Sequence, residues 1–317
     1  MRIIFFGTAN ISKAYLESLY NNKHEILCVT MPDKPAARGQ KLTAPAVKVF
    51  AQENNILFIQ PEKFTAEVVE KLKSFKAEAG IAVAYGKIIP RAVFALPKFK
   101  TFNIHFSLLP KYRGAAPVQY ALLNGETETG VTSFYLDDAL DTGDILMQEK
   151  YPIDIKDTAE SLFQKLIPLG IEIMNSTLSK FAVGDTKATP QIGKPTFAYT
   201  LKKEDGLIDW KQNAADVYNK VRAFYPWPGA YSFFVTGKLD GRRIKFIEAE
   251  IVETNTVNDE AGEIFAFEKN KGFTVVCAKG KILFTKIQPE NKSVMGAWDF
   301  IQGGQLKEGD CLGLKGE

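Results

Sequence analysis

The sequence is poor in cysteine and histidine, the residues that build most metal sites and disulfide frameworks. Its 317 residues include three cysteines and two histidines. The cysteines Cys28, Cys277 and Cys311 lie far apart and form no CxxC pair, which favours neither a disulfide framework nor a clustered zinc site. Because His24 and His105 are the two histidines, a metal centre built on several imidazoles is excluded. We expect no metal and a reducing compartment.

Long apolar runs and an excess of one charge are also missing. No uncharged apolar run approaches the roughly 18 residues of a membrane span, and the first apolar strand starts too early to leave room for a signal peptide. Lysine and arginine number 40 against 37 acidic residues, which gives a formal net charge of +3. We therefore expect a cytoplasmic protein, with no membrane or DNA partner, whose basic surface is local.

Apolar residues make up 45% of the chain, enough for two cores, and their spacing changes along it. Over 1–185 short apolar runs alternate with segments of helical period, which predicts an α/β, Rossmann-like domain with a mostly parallel sheet. The stretch 186–206 is predicted to be a linker, because prolines and glycines interrupt any period there. Over 207–317 a helix precedes turn-bounded alternating strands, which predicts an OB-like β-barrel domain.

The predicted elements are mostly short. In the first domain the strands are 3–6, 25–31, 56–60, 79–85 and 101–106, with helices at 11–19 and 159–173. In the second domain a helix at 213–224 is followed by strands at 243–251, 262–267, 272–278 and 281–287.

Nucleotide-binding signatures are absent, because Gly7 does not begin a GxGxxG pattern and no glycine-lysine pair has the spacing of a P-loop. The polar pair Asn103 and His105 is more informative. Side chains alternate along a strand, so the amide and the imidazole share one face. They also fall at a strand's carboxyl end, where open α/β sheets bind ligands. Taken alone, His105 is more often a core histidine, and Asp141 in its Leu-Asp-Thr-Gly-Asp run is more often a turn former.

Three sequence passages together give a more specific signal of function than any single residue in them. The passage 103–110 (NIHFSLLP), then 112–117 (YRGAAP) and 140–144 (LDTGD), resembles the folate-dependent formyltransferase family. The resemblance continues through 203–206 (KEDG), 208–210 (IDW) and 222–230 (RAFYPWPGA), and so runs the length of the chain. It is closest to members that formylate the methionine carried by initiator tRNA, since 32–35 and 38–42 are similar to their tRNA-contacting loop.

The resemblance implies a reaction and a set of residues. The formyl group of 10-formyltetrahydrofolate would pass to the α-amino group of methionine on initiator tRNA, with the enzyme acting as a monomer. Asn103 and His105 would donate to the developing oxyanion, and Asp141 would orient His105, favour its protonated form and collect a proton. The implied binding residues are Ser107, Leu108, Leu109 and Pro110 for tetrahydrofolate, and Arg38 and Lys41 for tRNA. The barrel domain would bind tRNA, although its charge is balanced.

Other interpretations stay open. A sugar-amine formyltransferase would share the catalytic trio and the folate site, but would not need the basic segment 31–48. A non-catalytic RNA-binding protein is disfavoured by the intact trio. Trp210 and Trp227 could stack on a base, but packing at a domain junction is the more common role. The chain departs from the family's usual residues at Ala9-Asn10, Phe106, Tyr112 and Ser133. None of these departures removes a polar catalytic group.

Overall fold

The computed structural model describes residues 1–35, 42–253, 255 and 260–314. The chain forms two compact units. The N-terminal unit comprises Met1–Pro117, Glu128–Pro152 and Gln164–Phe197, and the C-terminal unit comprises Val118–Thr127, Ile153–Phe163 and Ala198–Glu317. The domain bounds expected from the sequence, 1–185, 186–206 and 207–317, stay a prediction.

The elements follow the chain in this order. The strands before residue 160 are β1 (Arg2–Gly7), β2 (Glu25–Val29), β3 (Lys34–Pro35), β4 (Leu42–Thr43), β5 (Leu57–Ile59), β6 (Ala79–Val83), β7 (Thr101–His105), β8 (Arg113–Gly114), β9 (Glu128–Tyr135) and β10 (Ile145–Pro152). The helices through residue 182 are α1 (Asn10–Asn21), α2 (Ala46–Glu53), α3 (Ala66–Ser74), α4 (Arg91–Phe94), α5 (Pro117–Leu123) and α6 (Ala159–Ala182).

The remaining elements are mostly strands. They are β11 (Phe197–Ala198), α7 (Ala214–Phe224), β12 (Ala230–Phe234), β13 (Arg243–Glu253), β14 (Ile264–Glu268), β15 (Gly272–Val276), β16 (Lys281–Pro289), β17 (Met295–Gly296), α8 (Ala297–Gln302) and β18 (Leu312–Gly313).

A seven-stranded sheet of order β10-β9-β7-β6-β1-β2-β5 forms the N-terminal unit. The five strands from β5 to β7 are parallel, and β9 and β10 extend the sheet as antiparallel strands. Both faces of β1 and β6 are buried, which explains their nearly continuous apolar sequences. The mostly parallel α/β fold predicted for this part of the chain is confirmed.

The position of β7 in the sheet follows from the strand order. From β1 the chain builds outward through β2 and β5, then returns to β6 and continues to β7 on the other side. Such a switch in strand order opens a crevice at the carboxyl ends of the strands. On β7 this end is His105. Strand β7 lies between β6 on one side and β9 on the other. The sheet therefore carries the predicted catalytic pair to a ligand-binding edge.

The C-terminal unit is built on an antiparallel sheet of order β14-β15-β16-β13-β12-β18, with β17 beside β16. An isolated bridge between Glu263 and Cys311 links the chain at the two edges of this sheet, so the sheet curves on itself. Trp210, Phe246 and Phe284 pack in its core, and the indole ring meets the two phenyl rings edge-on. The predicted barrel class is confirmed as an antiparallel half-barrel.

Candidate active site

The imidazole of His105 is held by a hydrogen bond at one nitrogen and faces a carboxylate at the other. Its Nε2 lies 2.9 Å from the carbonyl oxygen of Tyr112. Because a carbonyl only accepts, Nε2 carries the hydrogen and donates it. Nδ1 lies 3.7 Å from Oδ2 of Asp141, and the ring stands edge-on to Phe134. The side chains of His105 and Asp141 are only 6% and 9% exposed, so solvent screens the interaction between the two groups only weakly.

Asp141 reaches His105 from the loop between β9 and β10. Its backbone has φ of +53°, in the left-handed region that most side chains avoid. Oδ2 accepts a 2.7 Å hydrogen bond from the backbone N–H of Gly114. Tyr112, whose carbonyl holds the imidazole, also has a positive φ, of +58°. Two unfavourable backbone conformations therefore flank the ring, which is a common feature of functional sites.

Asn103 completes the predicted trio on the same strand. It is half-buried, and β7 pairs it with Ala82 of β6 and Phe134 of β9. Among the residues that the structure describes, its side-chain amide has no hydrogen-bond partner. Alternation along β7 places this amide on the same face as His105. Because the structure brings His105 and Asp141 together beside Asn103, the three residues can act on one ligand.

The segment 107–110 follows β7 and forms a turn. The Ser107 hydroxyl donates to the carbonyl of Lys111 at 2.6 Å and closes the turn. Ser107 and Leu109 are buried, whereas Leu108 and Pro110 are half-buried. The Leu109–Pro110 peptide bond is cis. The turn leaves parts of Leu108 and Pro110 accessible to a ligand, and their predicted contact with folate stays a prediction.

Thr132 and Gln148 hold this segment, and sequence reasoning missed both of them. The buried Thr132 hydroxyl donates to the Ser107 carbonyl at 2.6 Å and accepts from the Leu109 N–H at 3.3 Å. The Gln148 amide donates to Thr132 Oγ1 at 2.9 Å and to the Leu109 carbonyl at 3.0 Å. Most of these contacts use backbone groups, which carry no sequence signal. One signal could have pointed to Thr132: the register of β9, which pairs Thr132 with His105.

A third missed residue, Gln191, lies inside the predicted linker. Its Nε2 donates to the carbonyls of Asp141 and Gly143, each at 2.9 Å. Its Oε1 accepts from Nε and Nη2 of Arg113 at 3.1 and 2.7 Å. Nothing in the local sequence distinguishes this glutamine from an exposed one. The contact joins residues 50 positions apart along the chain.

The predicted tRNA residues Arg38 and Lys41 lie outside the described residues. At the flanks of this segment, Lys48 Nζ contacts Asp33 Oδ2 at 2.7 Å, and Gln60 donates to Asp33 Oδ1 at 2.8 Å. The hydrogen bonds from Gln60 and Lys48 lower the pKa of Asp33 from its ordinary value. Lys48 therefore has a local structural partner. The tRNA-binding role of Arg38 and Lys41 stays a prediction.

The two candidate stacking residues differ. Trp210 is 4% exposed, and its indole N–H donates to Ser232 Oγ at 3.0 Å inside the core of the C-terminal unit. This burial supports the packing interpretation for Trp210. Trp227 is 55% exposed, so burial does not exclude the stacking interpretation for it. That interpretation stays a prediction.

The described part of the chain holds neither a candidate metal cluster nor a helix suited to span a membrane. No cluster of three or more histidine, cysteine, aspartate or glutamate side chains is placed there to hold a metal ion. In the same ranges, none of the helices has the length and apolar character to cross a membrane.

Comparisons with known proteins agree with the geometry. Residues 1–178 match the Formyl transferase family, and residues 200–305 match the family described as Formyl transferase, C-terminal domain. A methionyl-tRNA formyltransferase of Endomicrobium trichonymphae is 59% identical over 98% of this chain and 99% of its own length. The same enzyme of Thermodesulfovibrio yellowstonii is 43% identical over 97% of each chain.

A solved structure shares the fold at lower identity. The N-formyltransferase of Helicobacter canadensis, in complex with folinic acid and dTDP-3-aminofucose, superposes with a TM-score of 0.64 at 24% identity, over 91% of this chain and 98% of its own. At that identity the likeness concerns the fold alone. Identity of 59% over nearly the whole length decides the family, and the chain belongs to the methionyl-tRNA formyltransferases.

Proposed function

We propose that this protein transfers the formyl group of 10-formyltetrahydrofolate to the α-amino group of methionine esterified to initiator tRNA, with no metal taking part. Membership of the family supports the acceptor and a folate donor. The observation that carries the assignment of the site is the buried contact of His105 with Asp141, 3.7 Å apart, beside the Asn103 amide. We further propose that it acts as a single chain in the cytoplasm.

The described residues fit a carbonyl-bearing donor at this edge of the sheet. The Asn103 amide is half-buried and has no partner within the described ranges, so its N–H groups are available to a ligand oxygen. The donor supplies an activated formyl carbon on its N10 nitrogen. As the amine attacks that carbon, negative charge grows on the formyl oxygen. A preorganised donor aimed at such an oxygen typically lowers the barrier by about 3–4 kcal/mol.

His105 and Asp141 handle the proton. Since Nε2 already donates to Tyr112, the geometry favours Asn103 over His105 as the principal donor to the oxyanion, and leaves Nδ1 and Asp141 Oδ2 to act together. The new amide bond forms as the amine loses one proton, and the bond from the formyl carbon to N10 breaks as N10 gains one. Asp141 accepts the amine's proton beside His105, and this proton then passes to N10, directly or through water, so the transfer needs no net proton from solvent.

The turn 107–110 supplies part of the folate site. Ser107 holds the turn through its hydroxyl and Leu109 through its backbone N–H, and Leu108 and Pro110 present half-buried apolar surface. A flat, partly apolar ligand buries such surface on binding. The bonds from Thr132 and Gln148 keep this surface in place before the ligand arrives.

Arg38 and Lys41 contact the tRNA backbone in this proposal, and the half-barrel adds further tRNA contacts. Each basic side chain that neutralises a phosphate steepens the salt dependence of binding by about one unit of slope. We expect Arg38→Ala to weaken use of charged tRNA, flatten that slope by about one unit and leave folate binding unchanged. Filter binding over a range of salt measures the slope. An unchanged slope together with full activity contradicts the assignment.

The function itself is tested with two acceptors. The protein is incubated with 10-formyltetrahydrofolate and either charged initiator tRNA or an amino-sugar nucleotide. Acid-gel electrophoresis or mass spectrometry then reports which amine is formylated. We expect formyl-methionyl-tRNA and no formylated sugar. Transfer to the sugar alone contradicts the proposal, and uncharged tRNA is the control for the free amine.

A further inference from the structure

We propose that Gln191 is a positioning residue for formyl transfer, which keeps the Asp141 carboxylate in place against His105. The inference rests on the proposed role of Asp141. Gln191 belongs to no helix or strand, and the sequence predicts it to be part of a linker. Its contacts nevertheless join the two backbone segments that define the buried pair.

Every polar atom of the Gln191 amide has a partner. Both N–H donors of Nε2 are used by the carbonyls of Asp141 and Gly143, and Oε1 accepts twice from Arg113. A guanidinium only donates, so the amide oxygen has to face Arg113 and the NH₂ group has to face the carbonyls. The orientation of the amide is therefore fixed by chemistry. A side chain without an NH₂ group at this position cannot make the same set of bonds.

The loop that Gln191 holds needs external support. Asp141 has φ of +53°, a conformation that persists only where surrounding contacts impose it. Two residues further along, Gly143 passes so close to β9 that a Cβ atom there would lie 1.8 Å from the carbonyl oxygen of Tyr135. The loop is thus pressed against the sheet at Gly143. Gln191 bonds the carbonyls on both sides of Thr142 and fixes the direction in which the Asp141 side chain leaves the backbone.

The same amide reaches the histidine side of the site. Its partner Arg113 follows Tyr112, whose carbonyl binds His105 Nε2, and precedes Gly114, whose N–H binds Asp141 Oδ2. Thr196, five residues after Gln191, accepts from the Tyr112 N–H at 2.8 Å. The segment 191–196 therefore holds both backbone stretches that place the imidazole and the carboxylate. The spacing of 3.7 Å between His105 and Asp141 depends on it.

The test compares two substitutions with a matched control. Gln191→Glu keeps an oxygen partner for Arg113 but replaces both N–H donors with an acceptor that faces two carbonyls. Gln191→Met keeps length and removes all four bonds. The control is Asn54→Leu, because Asn54, just after α2, donates one side-chain bond, to the Phe50 carbonyl at 2.9 Å, and lies outside the proposed catalytic, folate and tRNA residues. Single-turnover formylation of charged tRNA is measured as a function of pH, together with KM for tRNA and the melting temperature.

We expect both Gln191 variants to lose about 10²-fold in kcat, the usual cost of displacing a reacting group by about 1 Å. KM for tRNA stays close to the wild-type value, and the pH profile of kcat changes shape because the His105–Asp141 pair is disturbed. The melting temperature falls in both variants, because each loses the bonds to the Asp141 and Gly143 carbonyls, but the loss of kcat persists at assay temperatures where both chains are folded. Asn54→Leu matches the wild type in rate and in pH profile.

Four results separate the possible failures. A kcat within about threefold of wild type in both Gln191 variants overturns the inference. So does a loss of rate that follows a loss of melting temperature, recovers on cooling and leaves the pH profile unchanged, because Gln191 then serves the fold alone. If Asp141→Asn keeps full activity, the proposed role of Asp141 fails and this inference fails with it. If the wild type transfers no formyl group to charged tRNA, the proposed function fails.

Discussion

The two units bury different chemistry. At the carboxyl end of β7 the N-terminal unit encloses an ionisable pair, His105 and Asp141, in a network of backbone hydrogen bonds. The core of the C-terminal unit is arranged around the aromatic rings of Trp210, Phe246 and Phe284. Burying ionisable groups costs solvation free energy, which favours a functional role for such a pair. Packed aromatic rings, by contrast, stabilise the fold. Substitutions in the first region should reduce rate, and substitutions in the second should reduce stability.

The largest effect should come from Asp141→Asn. Asparagine tolerates a positive φ and can still accept from the Gly114 N–H, so the backbone keeps its shape while the carboxylate is lost. We expect kcat to fall by about 10²- to 10⁴-fold, the usual contribution of acid–base catalysis. The affinity for folate and the melting temperature stay near the wild-type values. Rapid-quench formylation, folate fluorescence titration and calorimetry measure the three quantities. A loss below about tenfold would move the proton-transfer role to another group, such as Asp144.

The next effect separates the two tryptophans. Trp210→Ala removes a ring with 4% exposure and its bond to Ser232, and should lower the free energy of unfolding by about 3–5 kcal/mol. Trp227→Ala removes a ring that is 55% exposed, and should change that free energy by less than about 0.5 kcal/mol. Urea denaturation followed by far-UV circular dichroism measures both. Equal losses of unfolding free energy in the two variants would contradict the assignment of Trp210 to the core and Trp227 to the surface.

The smallest effect tests whether the polar network of the N-terminal unit also prepares the folate site. Thr132→Val keeps the shape but leaves the Leu109 N–H without its side-chain acceptor, which should cost about 1–3 kcal/mol. We expect folate affinity to fall by up to about tenfold as the turn 107–110 loosens. Thr274→Val, at a buried threonine of β15, is the matched control and should leave folate affinity unchanged. Equal folate affinity in the two variants would show that Thr132 does not prepare this site.

The sequence predicted those features that depend on a local period. All five strands predicted for the first domain occur, because residues such as Ile3–Phe6 or Ala79–Val83 are apolar along their whole length. Strand β10 was not predicted, since its side chains are half-buried or exposed and show no apolar run. Helix α6 extends to Ala182, nine residues beyond its predicted end, with Pro168 inside it. A sequence period alone does not show that the packing continues there.

The candidate site divides in the same way. Asn103, His105 and Asp141 could be selected from the sequence, because each is a polar residue in a recognisable short motif. The groups that hold them could not. The Tyr112 carbonyl and the Gly114 N–H are backbone groups that any residue type supplies. Gln191 becomes visible only when the chain beyond α6 returns to Arg113, 78 residues earlier in the sequence.

The position of Gln191 along the chain has a consequence for synthesis. A ribosome makes the protein from its N-terminus, and early segments begin to fold as they emerge. A nascent chain that ends at residue 185 already contains the whole parallel sheet with Asn103, His105 and Asp141. It lacks the amide that bonds the Asp141 loop, six residues further on. The candidate site is therefore completed after the sheet that carries it, and we expect a truncation at that predicted boundary to give a folded sheet with an incomplete site.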